Sequence, residues 1–596
     1  MSAIGGSVGI FTPENARKQM LKAMKSRGGG ETAEFSAKDC VLLRTGGTIL
    51  NLDAEGEQWS LAWDGSLYNA GELRKELLKL GQPLAGHTTE ELVLRCYIRW
   101  GKECVRKFNG IFSFAVWANR KQELFLARDR IGVKPLFYTI RNNGLVFGSE
   151  IKTVLAHPEI PAELDSQGIA EILLLGPGRT PGSGVFKGIR ELEGGCRATF
   201  RDGTWREERY WKLTDREHTQ TFAETAEYVR YLVMDAIACQ FPADGTAGTF
   251  LSGGLDSSII SAVCARKMRE QGRVPVTFSV DYAKNREFFR PNRFQPNSDP
   301  EYARLMAETL GSSHHWTVLE SSDLDKALKD AVSARDLPGM ADVDSSLLLF
   351  CGDIRKQVPI ALSGECADEI FGGYPWYRDP AMRNADGFPW TRNEKIRAQF
   401  LPPEVSVDPE EFVHSRYEQT LKESDILPEN SPEDRRIKEL VNLNFRWFMQ
   451  TLLDRNDRMS SHQGLEVRVP FCDYRIAEYL YSVPWAFKDH GNQEKGLLRK
   501  AMEGLLPEKI LHRKKSPYPK TFDPAYDTLV RDQLKAVLED KNAPIHQMVS
   551  RKALKTLLEE TGSQPWYGQL MSVPQTSAYM LQINFWLQKY QIWMAP

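Results

Sequence analysis

One heptapeptide, Ser252-Gly253-Gly254-Leu255-Asp256-Ser257-Ser258, does most to limit what this chain can fold into. It follows an apolar run, Thr249-Phe250-Leu251, and opens a stretch of helical character from Ile259 to Met268. Strand, small-residue turn, helix is how backbone N–H groups and a helix N-terminus grip phosphate, with glycines letting the phosphate come close. Asp256 is placed to hold a magnesium ion on those phosphates. The Walker pattern is missing: the Gly-Lys pair Gly101-Lys102 precedes Glu103, not Ser or Thr.

A chain of 596 residues holds two or more domains, each able to bury its own core. The net charge of −2 gives no electrostatic case for nucleic acid as a partner. Arg513-Lys514-Lys515 is a short basic run of the kind that usually lies on a solvated face. Nine cysteines without a CxxC pair argue against a disulfide framework or a zinc site. No signal pattern and no stretch of 18 apolar residues is present, so a cytoplasmic, reducing setting without membrane contact is expected.

Residues 1 to about 205 read as β-rich, with short apolar runs at Cys40–Leu43, Ile111–Trp117, Glu123–Ala127, Leu145–Phe147 and Cys196–Phe200. Helical pieces intervene at Ala70–Leu80 and Glu90–Trp100. From Thr221, helix-length segments alternate with strands at Thr249–Leu251, Val276–Val280 and Pro359–Leu362, which suggests a parallel sheet covered by helices on both faces. Residues 202–220 read as a linker, Asn285 to Pro300 as a long loop near the site, and the chain beyond Pro402 as mostly helical. Gly5-Gly6-Ser7-Val8-Gly9 fits the hydrolase pattern GxSxG, but no helix is expected after it, and the match reads as coincidence. His314-His315 reads as structural or as a neighbour of the nucleotide.

Three later stretches support the phosphate turn. Ser363 to Tyr374, SGECADEIFGGY, is again strand, tight turn and helix, and places Glu365, Asp368 and Glu369 within five residues. Like charges so close need a cation or a reaction partner. A run ending at Asp473, LDRNDRMSSHQGLEVRVPFCD, alternates acid with arginine and by itself is as often a surface face as a site. Lys515 follows in HRKKSPY.

Together with Ala127–Tyr138 (ARDRIGVKPLFY) and Phe147–Lys152 (FGSEIK), these motifs resemble the glutamine-dependent asparagine synthetases of class B over nearly the whole chain. Asp336–Asp342 (DLPGMAD) looks like a long subgroup of that family. The resemblance implies an αββα sandwich of the N-terminal-nucleophile hydrolase type over 1–205, a glutamine amidotransferase domain. It implies a second domain over 221–596, an ATP-pyrophosphatase doubly wound parallel sheet with a helical C-terminal part. It further implies that ATP adenylates a carboxylate, aspartate by default, and that ammonia displaces AMP to leave an amide. By that resemblance Ser252, Gly253, Gly254, Asp256, Ser257 and Ser258 hold the pyrophosphate, and Asp256 and Asp368 bind Mg2+. Val280, Ser363 and Gly364 contact the nucleotide, Glu365 takes a proton from the attacking amine, and Lys515 steadies the phosphoryl oxygens. A homodimer is the family expectation.

The N-terminal pattern breaks. Where the family has a nucleophilic Cys after the initiator Met, this chain has Ser2, and a hydroxyl is a far weaker nucleophile. The family's RGPD is here Arg27-Gly28-Gly29-Gly30, and its NGE is Asp64-Gly65-Ser66, which replaces an oxyanion-facing amide by a carboxylate. A second ammonium-binding carboxylate is replaced by Thr89, and Arg44 is only a loose match for the arginine that pairs the substrate carboxylate. The expectation is a domain that keeps its fold without hydrolysing glutamine, as in the β-lactam-synthetase branch, although Glu365 keeps the asparagine synthetase form. Amidation of aspartate or a larger acid by ammonia or another amine follows. The alternatives are a working glutamine-hydrolysing enzyme (with Ser2 as nucleophile or standing where a Cys was replaced), a natural-product amide synthetase, and a non-catalytic regulatory subunit.

Overall fold

The computed structural model describes residues 1–82, 84–290, 298–391, 394–560, 566–568 and 571–595. They form two compact units. One comprises Met1–Glu163, Pro181–Lys212 and Ser461–Gly464, and the other Leu164–Thr180, Leu213–Ser460 and Leu465–Pro596.

The first unit contains two six-stranded antiparallel sheets. One runs Ile189–Glu191, Phe137–Arg141, Gly144–Gly148, Ala3–Val8, Cys40–Thr45, Thr32–Ser36. The other runs Thr204–Arg209, Cys196–Arg201, Glu123–Arg128, Gly110–Ala118, Glu57–Leu67, Leu50–Ala54. Side chains alternate across a strand, and Gly110–Ala118 uses both faces. Ala115 and Trp117 enter a core shared with Ile4, Leu42 and Phe147 of the other sheet. Phe112, Phe114 and Val116 point the opposite way, onto Leu73, Leu77, Leu92 and Val93 of helices Ala70–Lys79 and Thr89–Trp100. Helix Glu14–Met24 packs against Ala3–Val8 and Cys40–Thr45, which completes the αββα order. Each large side chain so buried contributes about 1.5–3 kcal/mol.

Two readings are corrected here. Residues Thr204–Arg209, taken as part of a linker, pair with Cys196–Arg201 as a strand. A helix does follow the GxSxG match, at Glu14–Met24, but Ser7 is buried inside a strand and its hydroxyl hydrogen-bonds Thr12 at 2.6 Å, so it is no exposed nucleophile.

The second unit is built on a parallel sheet in the order Ser313–Leu319, Val276–Tyr282, Ala247–Phe250, Ile360–Leu362, Glu466–Arg468. Thr221 caps the helix Phe222–Gln240 through a reciprocal box with Glu224, a sequence-level start signal. Helix Leu255–Glu270 packs on the central strand and on Phe222–Gln240. A separate core gathers Phe278 and Ala361 of the sheet with Ala331, Leu347, Phe350 and Ile354 of helices Ser321–Arg335 and Asp342–Arg355. Both outer strands, Ser313–Leu319 and Glu466–Arg468, escaped the sequence reading. His314 lies in the first of them and binds Thr277 Oγ1 through Nδ1 at 2.8 Å, a structural role. The loop expected over Asn285 to Pro300 holds a short helix, Asn285–Phe288, and the start of Asp299–Leu310, while residues 291–297 lie outside the described residues. No helix among the described residues is long and apolar enough to cross a membrane.

Candidate functional site

The three central strands of the parallel sheet end on one side, and their C-terminal ends form a cavity of about 230 Å³. Ligands in open α/β sheets sit at such strand ends. Ser252, Gly254, Asp256 and Ser257 line it after the first strand, Val280 on the second, and Ser363, Gly364, Glu365 and Asp368 after the third. The phosphate turn is held by its own hydroxyls: Ser252 Oγ and Ser257 Oγ are 3.0 Å apart, and the Gly254 N–H donates to Ser252 Oγ. Gly253 has φ +70°, and a β carbon there would come within 2.4 Å of the Tyr302 backbone. Ser258 is fully buried, with a hydroxyl that finds no hydrogen-bond partner among the described residues.

Charge in the cavity is organised around two aspartates. Lys495 Nζ stands 2.5 Å from Asp256 Oδ2 and 2.5 Å from Asp368 Oδ1. Lys515 Nζ bonds the other oxygen of Asp368. Burial pushes the Asp368 carboxyl up, but the two ammonium groups outweigh it and hold the group at about 2. Burial raises Asp256 and the Lys495 charge only partly offsets it. Gly373 allows this approach, since a β carbon there would lie 1.9 Å from Asp368 Oδ1. Glu365 accepts a hydrogen bond from Arg455 at 3.2 Å, and burial raises its carboxyl despite that cation. Glu369, buried and accepting a hydrogen bond from the Tyr374 hydroxyl at 2.8 Å, is raised to about 8 by burial and by Asp368.

Asp256 Oδ1 has no hydrogen-bond partner among the described residues, and two carboxylates converge where phosphate would lie. This is a donor set that suits a hard divalent cation shared with phosphate oxygens. Among the described residues no cluster of three acidic, His or Cys side chains forms a closed protein metal site. The structure thus brings Ser252, Asp256, Ser257, Val280, Ser363, Gly364, Glu365, Asp368 and Lys515 together.

Several residues of the site carried no sequence signal. Lys495 sits in left-handed backbone, φ +57°, before helix Gly496–Ala501. Arg513 donates to the Ser252 carbonyl at 2.9 Å and pairs with Asp299 at 2.5 Å, so the basic run 513–515 is partly site and not simply a solvated face. The acid–arginine run is likewise buried. Asp454 pairs with Arg179, Arg335 and Arg458, and these cations hold its carboxyl well below the usual range against the burial that would raise it. Cys366, beside Glu365, is bridged to Cys472 across 106 residues. That corrects the expectation drawn from cysteine spacing, at one pair. The other seven cysteines are free.

In the first unit, Ser2 donates its hydroxyl to Asp64 Oδ1 at 2.6 Å. Arg27, fully buried, stands 3.7 Å from Asp64 and 3.5 Å from Glu150, and its Nε donates to the Ser2 carbonyl. Lys152 pairs with Glu150 at 2.6 Å. Gly65 leaves no room for a side chain, since a β carbon would lie 2.2 Å from the Ile111 carbonyl oxygen. Ser66 follows it in the strand Glu57–Leu67. Thr89 opens helix Thr89–Trp100, and no hydrogen bond or ion pair joins it to Ser2 or Asp64 among the described residues. Arg44 pairs with Glu90 at 2.7 Å.

Comparison with known proteins adds the following. The asparagine synthase profile matches residues 228–588, and the glutamine amidotransferase domain profile matches residues 1–211. The chain is similar to the glutamine-hydrolysing asparagine synthetase 3 of Bacillus subtilis, 46% identical over 547 residues, 90% of this chain and 88% of that one. Similarity to glutamine-hydrolysing asparagine synthetase 1 of the same organism is 28% over 503 residues, 78% of this chain and 77% of that one.

Proposed function

The chain belongs to the asparagine synthase family and is an ATP-dependent amide-forming ligase, and from that premise we propose that it amidates a carboxylic acid with free ammonia or an amine, its amidotransferase unit no longer hydrolysing glutamine. The observation that carries this is the short hydrogen bond from Ser2 to Asp64. A carboxylate offers only acceptors to whatever forms beside Ser2. An oxyanion there would meet negative charge in place of an amide N–H. The loss of one oxyanion donor costs about 3 kcal/mol in such reactions, and the exchange of thiol for hydroxyl adds to it. Arg27 is enclosed with Asp64 and Glu150 beside Ser2.

In the second unit the residues divide the work. Ser252, Gly254 and Ser257 with the N-terminus of helix Leu255–Glu270 hold phosphate. Asp256 and Asp368 would hold magnesium, which when bound neutralises charge on the phosphates. Glu365 takes the proton an attacking amine must lose, and burial raises its carboxyl above the ordinary value. Lys515 places an ammonium beside the phosphoryl oxygens. Gathering these groups in one cavity weighs against a non-catalytic subunit.

A second reading, a glutamine-hydrolysing synthetase that uses Ser2, is favoured by the name of the 46%-identical relative. Glutamate release from glutamine, measured for the unaltered chain, Ser2→Cys and Ser2→Cys/Asp64→Asn, separates the two. Our reading expects no release from the first two. Release from the unaltered chain at rates matching amide formation establishes the second reading. Pyrophosphate release from magnesium-ATP with ammonium but not with glutamine completes the test.

A further inference from the structure

Between helices Glu508–Leu511 and Pro524–Glu539 the chain has neither helix nor strand, and residues 513–519 of this stretch line the cavity. Its fixed points give the stretch a direction. Arg513 is tied to the phosphate turn, through the Ser252 carbonyl at 2.9 Å, and to Asp299. Lys515 bonds Asp368 through Nζ and donates its backbone N–H to Glu494 at 3.1 Å. The Tyr518 ring lies 5.0 Å from the guanidinium of Arg455, the partner of Glu365. The stretch thus runs from the phosphate turn towards the carboxylate assigned the amine proton, and Lys514 belongs to its phosphate end.

Lys514 differs from its neighbours in having nothing to hold. Arg455, Lys495, Arg499, Arg513 and Lys515 line the cavity, and each pairs with a carboxylate that lines it too. Those carboxylates are Asp256, Asp299, Glu365, Asp368 and Glu494. One cation is left over: Lys514 lines the same cavity, is exposed, and has no ion-pair or hydrogen-bond partner among the described residues. A compact ammonium on a flexible stem can follow an anion that moves, where an anchored guanidinium fork cannot.

The chemistry proposed for this cavity makes such an anion. When an acid is adenylated, a carboxylate oxygen bonds the α-phosphorus of ATP. The bond from that phosphorus to the α,β-bridging oxygen breaks, and its electron pair stays on that oxygen, in pyrophosphate. The leaving group gains charge as it departs, and a cation aimed at developing charge lowers the barrier.

We propose that Lys514 is a further substrate-binding residue, whose ammonium takes the β- and γ-phosphates of ATP and holds the pyrophosphate as it forms. The proposal rests on the reading that the phosphate turn and Glu365 serve ATP-dependent activation of a carboxylate in this cavity.

Calorimetric titration of the full chain with pyrophosphate, α,β-methylene-ATP and AMP, each with magnesium, tests this without any acid substrate. Lys514→Met should weaken pyrophosphate and α,β-methylene-ATP about five- to twentyfold, the loss of one hydrogen bond to a charged group, and leave AMP within about twofold. Lys514→Arg keeps the charge and should return both to within about threefold of the unaltered protein. Pyrophosphate affinity unmoved in Lys514→Met overturns the proposal, and so does an equal loss of AMP affinity, which marks a general field in place of a phosphate contact. A KM for the acid that rises in Lys514→Met, with pyrophosphate affinity unmoved, overturns it as well and gives Lys514 to the acid. If the unaltered chain binds none of the three compounds, the ATP reading of the cavity fails, and the proposal falls with it.

Discussion

Replacing Lys495 by Met tests the electrostatic account of the phosphate site most directly. Four charges balance there: Asp256 and Asp368 against Lys495 and Lys515, with Lys495 Nζ 2.5 Å from a carboxylate oxygen of each aspartate. Methionine keeps the length of the side chain and removes the charge, leaving two buried carboxylates to share Lys515. Breaking a buried pair in this way costs about 3–5 kcal/mol. The chain can escape part of that by taking up a proton, and Asp256 is the group to take it, since burial already raises its carboxyl and Lys495 is the main influence opposing the rise. A protonated Asp256 binds magnesium-nucleotide poorly until the proton leaves. Calorimetric Kd values for magnesium with α,β-methylene-ATP, from pH 5.5 to 9, read this without any acid substrate. Affinity at pH 7 should fall about 10²–10³-fold, equivalent to about 3–4 kcal/mol. The acid limb should move to higher pH, because removing a cation raises a carboxylate pKa. Lys495→Arg should stay within about tenfold of the unaltered protein. A Kd for Lys495→Met within threefold at pH 7, with the acid limb unmoved, refutes the reasoning.

Other outcomes follow from the same contacts. Glu369→Gln should keep pH 7 turnover within about threefold, because the carboxyl it replaces, raised to about 8, is already largely uncharged there; the rate profile of the unaltered enzyme should bend near pH 8 and that of the variant should not. Asp368, held at about 2, contributes stability that is present above about pH 4 and lost as pH falls towards 2, so thermal midpoints should drop through that window in the unaltered protein and drop less in Asp368→Asn. The Cys366–Cys472 bridge closes a separation of 106 residues, and its reduction should lower stability by up to about 4–5 kcal/mol on the chain-entropy account; alkylation followed by mass measurement should count seven thiols before reduction and nine after it. With Cys472→Ser in place, Cys366→Gly should recover about 1 kcal/mol, since residue 366 has φ +81° and glycine adopts that backbone freely.

How much of this was legible in the sequence depended on whether a signal was local. Ser252–Ser258 declared a phosphate turn because strand, glycines, hydroxyls and helix lie within a dozen residues. Gly110–Ala118 declared itself by its apolar run, and both its faces are indeed buried. Ala3–Val8 was not among the expected strands; its glycines stood out only as a coincidental GxSxG match. They are required by crowding: a β carbon on Gly6 would lie 2.1 Å from the Val41 carbonyl oxygen. Glu466–Arg468 lay in a charge run read evenly as a surface face or a site, and its register beside Ile360–Leu362 makes it a strand. Lys495 and the Cys366–Cys472 bridge are long-range facts, fixed by how the sheet brings strand ends together and not by any neighbour in sequence.

The two units treat buried charge in ways that bear on their roles. In the second, Lys495 and Lys515 keep Asp256 and Asp368 from repelling each other, while Asp256 Oδ1 has no hydrogen-bond partner among the described residues. Such an arrangement stores binding capacity, because a ligand that supplies its own charge meets carboxylates already aligned. In the first unit the cations are spent inward. Arg27 is enclosed by Asp64 and Glu150, Lys152 completes Glu150, and the Ser2 hydroxyl is turned onto Asp64. Ser2→Cys touches none of these ion pairs, so on the proposed reading it supplies a thiol without restoring glutamine hydrolysis. Asp64→Asn added to Ser2→Cys returns an amide to the position facing residue 2, which is why the double variant is the informative one.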